Sequence, residues 1–540
     1  MQLKIRVNDL NLKISETGSS FILLLSAWLI LSLSAMILSC PEFLFAYTEN
    51  VYTDYTEVSG DITGQNIEWT KAKSPYVVSG DIYVYGGTDV SNVATLTIEK
   101  GVVVRFKSGT TLYAGSASST RHWGAIFAQG TASEPIIFTS NESVPSPGDW
   151  RGIYFRNDTD GNSTLLEHCI IEYGGYLTTS NIYCYSVSPT IRNCEIHKSS
   201  AHGIYLNNAS PVITDNIIKN NVLDGIYGND LSKPQINGND FRDTDNDGIR
   251  QRYAVNIYPN GVSNMGDNIG SGIDGEYINI RAGNITSDIT WNALSADALP
   301  YVVAGHIYVY GGTDVSNVAT LTIEKGVVVR FKSGTTLYAG SASSTRHWGA
   351  IFAQGTASEP IIFTSNEAVP SPGDWKGIYF RNDTDGNSTL LEHCIIEYGG
   401  YLTTSNVYCY SVSPTIRNCE IHKSSVHGIY LNNASPVITD NIIKNNVLDG
   451  IYGNDLSKPQ INGNDFRDTD NDGIRQRYAV NIYPNGVTTM GDNIGSGIDG
   501  EYINIRAGNI TSDITWNALS ADALPYVVAG NIYVYGGTDV

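Results

Sequence analysis

A nine-residue phrase recurs about every 22 residues. Ser188-Pro-Thr-Ile-Arg-Asn-Cys-Glu-Ile196 is followed by Ser210-Pro-Val-Ile-Thr-Asp-Asn-Ile-Ile218 and Lys233-Pro-Gln-Ile-Asn-Gly-Asn-Asp-Phe241, at spacings of 22 and 23 residues. Ser163-Thr-Leu-Leu-Glu-His-Cys-Ile-Ile171 is the same phrase 25 residues earlier. Between the phrases stand short strands: Gly152-Ile-Tyr-Phe, Asn181-Ile-Tyr-Cys, Gly203-Ile-Tyr-Leu, Gly225-Ile-Tyr-Gly and Gly248-Ile-Arg. Alternation of period two, no helical stretch and a repeat this short leave one economical solution: each repeat is one coil of a parallel β-solenoid. Coils stack at the inter-strand spacing of ~4.8 Å, so equivalent residues form ladders. Three inward ladders are expected: Ile191, Ile213 and Ile236; Ile196, Ile218 and Phe241; and Ile153, Ile182, Ile204, Ile226 and Ile249. Glu172, His197, Lys219 and Arg242 then fall in an outward, solvated row.

A second period of 225 residues lies over the first. Pro75–Ala282 and Pro300–Ala507 differ at eight positions: Ser79/Ala304, Asp81/His306, Ser143/Ala368, Arg151/Lys376, Ile182/Val407, Ala201/Val426, Ser263/Thr488 and Asn264/Thr489. The phrase starts again at Pro525 and stops at Val540, inside its opening strands, which reads as the end of a fragment. The expected organisation is a leader or anchor over 1–46, modules over 60–282 and 283–507, and a truncated third over 508–540. Tyr253 to Arg281 leaves the short register and reads as a closing cap and bridge. Whether the modules form one continuous helix or two hinged units stays open.

These phrases, with Ala94-Thr-Leu-Thr-Ile-Glu-Lys-Gly-Val-Val-Val-Arg-Phe106, resemble the right-handed parallel β-helix repeat proteins, a superfamily that includes pectate-lyase-like enzymes. The resemblance implies an all-β right-handed parallel β-helix. It leaves activity open, because this fold serves lyases, hydrolases, adhesins and inert stalks alike.

Lys4, Arg6 and Lys13 precede the apolar stretch Phe21 to Leu38, the pattern of a signal peptide with a long basic region. Cleavage before Tyr47, a lipid anchor at Cys40 and an uncleaved membrane anchor are alternatives, and all three place the remaining chain outside the cytoplasm. A net charge of −21 argues against nucleic acid as a partner. An odd three cysteines per copy are no disulfide framework. Cys169 and Cys194 share a rung position continued by Asn216 and Asn239. They are within reach of a bridge, with two stacked thiols as the equal alternative. Cys184 aligns with Phe155 and Leu206 as a core residue.

Three patterns carry candidate chemistry. Asp243-Thr-Asp-Asn-Asp-Gly248 and Asp468-Thr-Asp-Asn-Asp-Gly473 resemble the first half of a calcium loop, with Asp243, Asp245, Asp247, Asp468, Asp470 and Asp472 as oxygen ligands. The position-12 Glu is absent, so an EF-hand is excluded, and a solvated Asp-rich turn competes with a looser calcium site. Tyr154, Tyr183, Tyr205 and Tyr227, repeated as Tyr379, Tyr408, Tyr430 and Tyr452, form an outward stripe. Sugar rings could stack on its faces, and equally the rings could simply support the solenoid. Arg151, His202, Asp224 and Asp247 (Lys376, His427, Asp449 and Asp472 in the second copy) precede the strand glycines. Asp224 and Asp247 would stand roughly 5 Å apart on neighbouring coils, a separation suited to acid–base work on a glycosidic bond. The signatures of polygalacturonase-like enzymes are imperfect here, so these are weak catalytic candidates. The expected function is an exported or cell-surface protein with a binding or structural role toward carbohydrate or another surface. A polysaccharide lyase or glycoside hydrolase of the pectate-lyase-like kind is the alternative.

Overall fold

The computed structural model describes residues 46–536 apart from 117–119, 179, 246, 342–344, 403–404 and 471–472. All but the last residue of the leader or anchor expected over 1–46, and the candidate Asp472, lie outside the described residues. Tyr47–Val540 forms one compact unit. Among the described residues no helix is long and apolar enough to cross a membrane.

The fold is the expected all-β, right-handed parallel β-helix. Each regular coil has three strands, as in Ser180–Tyr185, Thr190–Arg192 and Glu195–His197, followed by His202–Asn207, Val212–Thr214 and Ile217–Lys219. Strand pairing is parallel except in the opening hairpin of Thr48–Val51 with Thr56–Ser59. Sequence sets the corners. Asn193 and Asp215 sit at φ 53° and 57°, each between two strands of its coil, and Gly238 at 68° follows the strand Gln235–Asn237. Asn, Asp and Gly tolerate this left-handed conformation, which turns the chain without a long loop. The glycine before each Ile-Tyr pair has another cause. A Cβ on Gly225 would lie 2.7 Å from the carbonyl oxygen of Ala254 on the next coil.

The inward ladders form as expected, with two corrections. Ile191 pairs with Ile213 and Ile213 with Ile236; Ile196 pairs with Ile218; all are fully buried, as is Phe241. Full burial of one such side chain contributes about 1.5–3 kcal/mol. The third ladder runs Ile153, Ile182, Ile204, Ile226 and then Val255, not Ile249. Residues 242–252 leave the stack as a loop, so Gly248-Ile249 is no rung. Residues 253–281 do not cap the stack. Tyr253–Ile257 and Gly275–Ile280 are two further rungs of the same sheet, and Gly275–Ile280 pairs onward with Tyr301–Val303 of the second copy. The two copies are therefore joined by continuous strand pairing.

That junction changes which face each copy presents. The tyrosine strands of the first copy belong to a 15-stranded sheet. Past Tyr227 its outward column continues through Asn256, Asn279, Val302 and Arg330. Further along, His422 and Lys444 pair on the same sheet. The tyrosine strands of the second copy lie in a different, 10-stranded sheet. The 225-residue repeat is not a whole number of coils: it carries each strand onto the next face. The outward row Glu172, His197 and Lys219 is observed. His197 is buried rather than solvated, and Arg242, in the loop, pairs with Asp240 instead of extending the row.

Candidate binding face

The tyrosine stripe is longer than its repeated Gly-Ile-Tyr phrase suggested. Tyr83 and Tyr113 precede Tyr154, Tyr183, Tyr205 and Tyr227, and successive residues are rung neighbours. Ring centroids are separated by 4.4, 5.4, 4.3, 5.0 and 5.0 Å along the row. The second copy repeats it with Tyr308, Tyr338, Tyr379, Tyr408, Tyr430 and Tyr452. Ile82-Tyr-Val-Tyr85 held the missing signal, since it has the same inward-outward order.

Ring orientation differs along the rows, and in the second copy Tyr338, Tyr379, Tyr408 and Tyr430 are tilted from one to the next by 63°, 47° and 42°. Tyr183 and Tyr205 lie 10° from coplanar, and Tyr205 and Tyr227 lie 23°. In these stacked pairs of the first copy the ring faces meet neighbouring rings, which leaves edges and hydroxyls outward, while Tyr113 and Tyr154 are tilted by 50°. Cations close the rows: the Arg281 guanidinium sits 4.1 Å from the Tyr227 ring centre, and Arg156 sits 4.8 Å from that of Tyr113. Burial first, then Tyr113 and Asp81, push the Tyr83 phenol up to about 12. Beside the row, Asn207 donates to the Tyr183 hydroxyl at 2.9 Å and Asn229 donates to Asn207 at 2.7 Å. A cleft of about 190 Å³ opens where Tyr113, Tyr154 and Tyr183 meet Arg151, Tyr176 and Leu177.

The proposed carboxylate pair does not form. The rung neighbour of Asp224 is Tyr253, while Asp247 is exposed in the 242–252 loop. What the fold brings together is His202 with Asp224, at 3.3 Å from Nδ1 to Oδ2, and likewise His427 with Asp449. Asp224 is fully buried and takes two hydrogen bonds from Arg252, at 2.8 and 2.7 Å, and one from Asn256 at 3.0 Å. Burial raises its pKa, but the hydrogen bonds from His202, Arg252 and Asn256 outweigh it and hold the carboxyl below its ordinary value. The Asp224 backbone N–H also points to His202 Nδ1 at 3.3 Å. Nδ1 either accepts from that N–H or donates to the carboxylate, not both.

The calcium loop fails a test of fit in the first copy. Asp245 is bound by Lys219 at 2.9 Å, Asp247 by Asn220 at 2.8 Å, and Asp243 accepts from the Asp245 backbone. Lys219 holds the Asp245 carboxyl below its ordinary range. Among the described residues no three His, Cys, Asp or Glu side chains converge on a metal position. In the second copy Asp470 pairs with Lys444 and Asp468 accepts from the Asp470 backbone. A lysine supplies the positive charge the cation would have brought.

Among the described residues the six cysteines are free buried thiols. Cys194 donates to carbonyls of Leu166 and Arg192, and its N–H donates to Asn216 Oδ1 at 2.9 Å. From there Asn216, Asn239 and Asn268 form a buried amide ladder with 2.9 Å side-chain steps. Asn268 lies beyond the 22-residue register, which hid it from the sequence reading. Cys184 pairs in register with Phe155 and Leu206, as expected.

Residues 100–262 match the family described as right handed beta helix region, and residues 283–410 match the pectate-lyase like beta helix domain. The chain is a right-handed parallel β-helix protein. No curated protein matches this β-helix chain significantly. Among solved structures it is similar to the periplasmic alginate epimerase AlgG, at 12% identity and a TM-score of 0.15, over 94% of this chain and 83% of that one. It is also similar to tailspike protein 3 of bacteriophage CBA120, at 10% identity and a TM-score of 0.17, over 95% and 67%. At these scores neither likeness bears on what this β-helix does.

Proposed function

We propose that the protein is an exported or cell-surface β-helix with a binding and structural role, contacting carbohydrate along its tyrosine rows. The observation that carries this reading is the row itself. Six phenol edges at rung spacing, flanked by Arg156, Arg281 and the Asn207–Asn229 amides, present alternating apolar edges and hydrogen-bonding groups to an extended polyol. Near-identical modules over 60–282 and 283–507 double the face and raise avidity without new chemistry. Because the copies use different sheets, the two rows address ligands on different sides of the stack. The basic-apolar leader over 1–46 supports export.

Retention on a polysaccharide panel tests this. Tyr205→Phe with Tyr430→Phe removes two hydroxyls while leaving the stacks, so it separates binding from folding. Weaker retention of the double variant is the expected result. Unchanged retention on every polysaccharide, at unchanged melting temperature, would overturn the reading.

A lyase or hydrolase reading rests on one observation, the His202–Asp224 contact beneath the Tyr227 ring, with ring centroids of His202 and Tyr227 at 4.7 Å. In that reading His202 is the base and Asp224 its orienting partner. Release of reducing or unsaturated sugars from acidic polysaccharides, abolished by His202→Ala with His427→Ala, would favour it.

A further inference from the structure

The most nearly parallel rings of each tyrosine row stand where the row begins. Tyr83 and Tyr113 are rung neighbours, with ring centroids 4.4 Å apart and planes 5° from parallel. Tyr308 and Tyr338 repeat the pair at 4.7 Å and 4°. The two copies agree here, and in both the next contact turns away: Tyr113 to Tyr154 is tilted by 50° and Tyr338 to Tyr379 by 63°.

Register fixes how these rings meet. Rung neighbours on a parallel sheet mount their side chains at matching points and in the same direction. Two parallel rings mounted this way carry their hydroxyls to the same side, so the carbons ortho to one hydroxyl face their counterparts on the other ring. Tyr83, Tyr308 and Tyr338 are half-buried, and Tyr113 is 8% exposed. Each pair therefore holds two phenols in contact with at least one ring open to solvent.

We propose that Tyr83–Tyr113 and Tyr308–Tyr338 are sites of oxidative cross-linking to dityrosine, which staples neighbouring coils covalently. A one-electron oxidant takes one electron from each ring, and water takes each phenolic proton. The two phenoxyl radicals join by one carbon–carbon bond between ortho positions. The two hydrogens on those carbons then shift to oxygen and restore both phenols, so two electrons and two protons leave in all. In free solution two radicals must meet. Here the coil already holds the reacting carbons side by side, and proximity of this kind replaces the entropy cost of encounter. The link ties one coil to the next, so those rungs cannot separate while it stands. Coupling needs no sugar at the row, so it stands apart from the carbohydrate reading.

The test is oxidation of the full chain by photogenerated tris-bipyridyl ruthenium(III), with persulfate as terminal electron acceptor, followed by peptide mapping with fragment-ion mass spectrometry. The cationic dye is drawn to a chain of net charge −21. Asp81 and His306 give the two copies distinguishable peptides. Tyr52 and Tyr55, 48% and 37% exposed and 4.7 Å apart in the opening hairpin, are the internal competitor, since exposure alone would favour them. The expected products are Tyr83–Tyr113 and Tyr308–Tyr338 peptides lighter by two hydrogens, exceeding the Tyr52–Tyr55 product by roughly five-fold and falling by roughly ten-fold when the chain is unfolded in urea before oxidation. Tyr113→Phe with Tyr338→Phe keeps the stacked rings and removes one phenol from each pair. It should abolish both products and leave Tyr52–Tyr55 coupling at the wild-type level. Coupling confined to Tyr52–Tyr55 or to links between molecules, or equal yields from folded and unfolded chain, overturns the inference.

Discussion

Replacing Asn239 by alanine should disrupt the buried amide ladder at a calculable cost. Asn239 is fully buried. Its Oδ1 accepts the Asn216 backbone N–H at 3.1 Å and the Asn216 amide at 2.9 Å. Its Nδ2 donates to the Ile213 carbonyl at 2.9 Å and to Asn268 at 2.9 Å. Alanine leaves the Asn216 N–H and the Ile213 carbonyl without these partners and loosens both neighbouring amides. Each buried group left unsatisfied costs about 1–3 kcal/mol, so about 2–6 kcal/mol is expected for the two. Asn239→Cys should cost less, because Cys194 fills the same slot two steps along and a thiol can accept a rung N–H, as Cys419 does from Cys394 at 3.4 Å. The intact second copy, and the stepwise unfolding of repeat arrays, make a single melting curve a poor reporter. Hydrogen exchange over residues 210–245 reads the local opening free energy directly. A loss of protection below about 1 kcal/mol in Asn239→Ala would refute the accounting.

The other predictions concern buried charge and thiols. Asp224→Ala leaves Arg252, His202 and Asn256 facing a vacated buried site and should cost about 3–5 kcal/mol; hydrogen-exchange protection over residues 200–257 equal to wild type would contradict this. Asp224 and Asp449 are both held below the ordinary carboxylate value by hydrogen bonds that outweigh burial. Their contribution is present above the unfolded pKa of about 3.9 and is lost as pH falls through the lower folded value. Acid titration of stability should therefore steepen below about pH 4 and flatten in Asp224→Asn with Asp449→Asn; a slope equal to wild type in that variant would count against it. Burial pushes the Cys184 and Cys409 thiols up. The native protein should resist maleimide until unfolded, and rapid labelling of any of the six described cysteines would show that the packing is wrong.

The coil, its ladders and the Cys–Asn rung column were legible because they depend on residues a fixed distance apart in the chain. A phrase of one coil length places Ile191 on Ile213 whatever lies elsewhere, and an αL corner at Asn193 or Asp215 follows from residue type. The candidate site was read less well, for one reason seen at several places. Gly248-Ile249 copied the local pattern of a strand, yet a loop of residues 242–252 had slipped between rungs. That placed Tyr253 beside Asp224 and left Asp247 outside. In the same loop Lys219 from a neighbouring coil pairs with Asp245, a partner that the local calcium-like spacing does not contain.

By itself the sequence determined the solenoid, the inward faces and the outward tyrosines, since alternation and coil length fix which side of a strand each residue occupies. The tertiary structure decided two things that no local period contains. The first is how the rings meet, stacked from Tyr154 to Tyr227 and tilted from Tyr338 to Tyr430, which depends on side-chain torsions settled by rung neighbours. The second is that the copies present their tyrosine rows on different sheets. A 225-residue repeat that is not a whole number of coils must advance by one face, and only hydrogen bonding across the junction, from Gly275–Ile280 to Tyr301–Val303, reveals it.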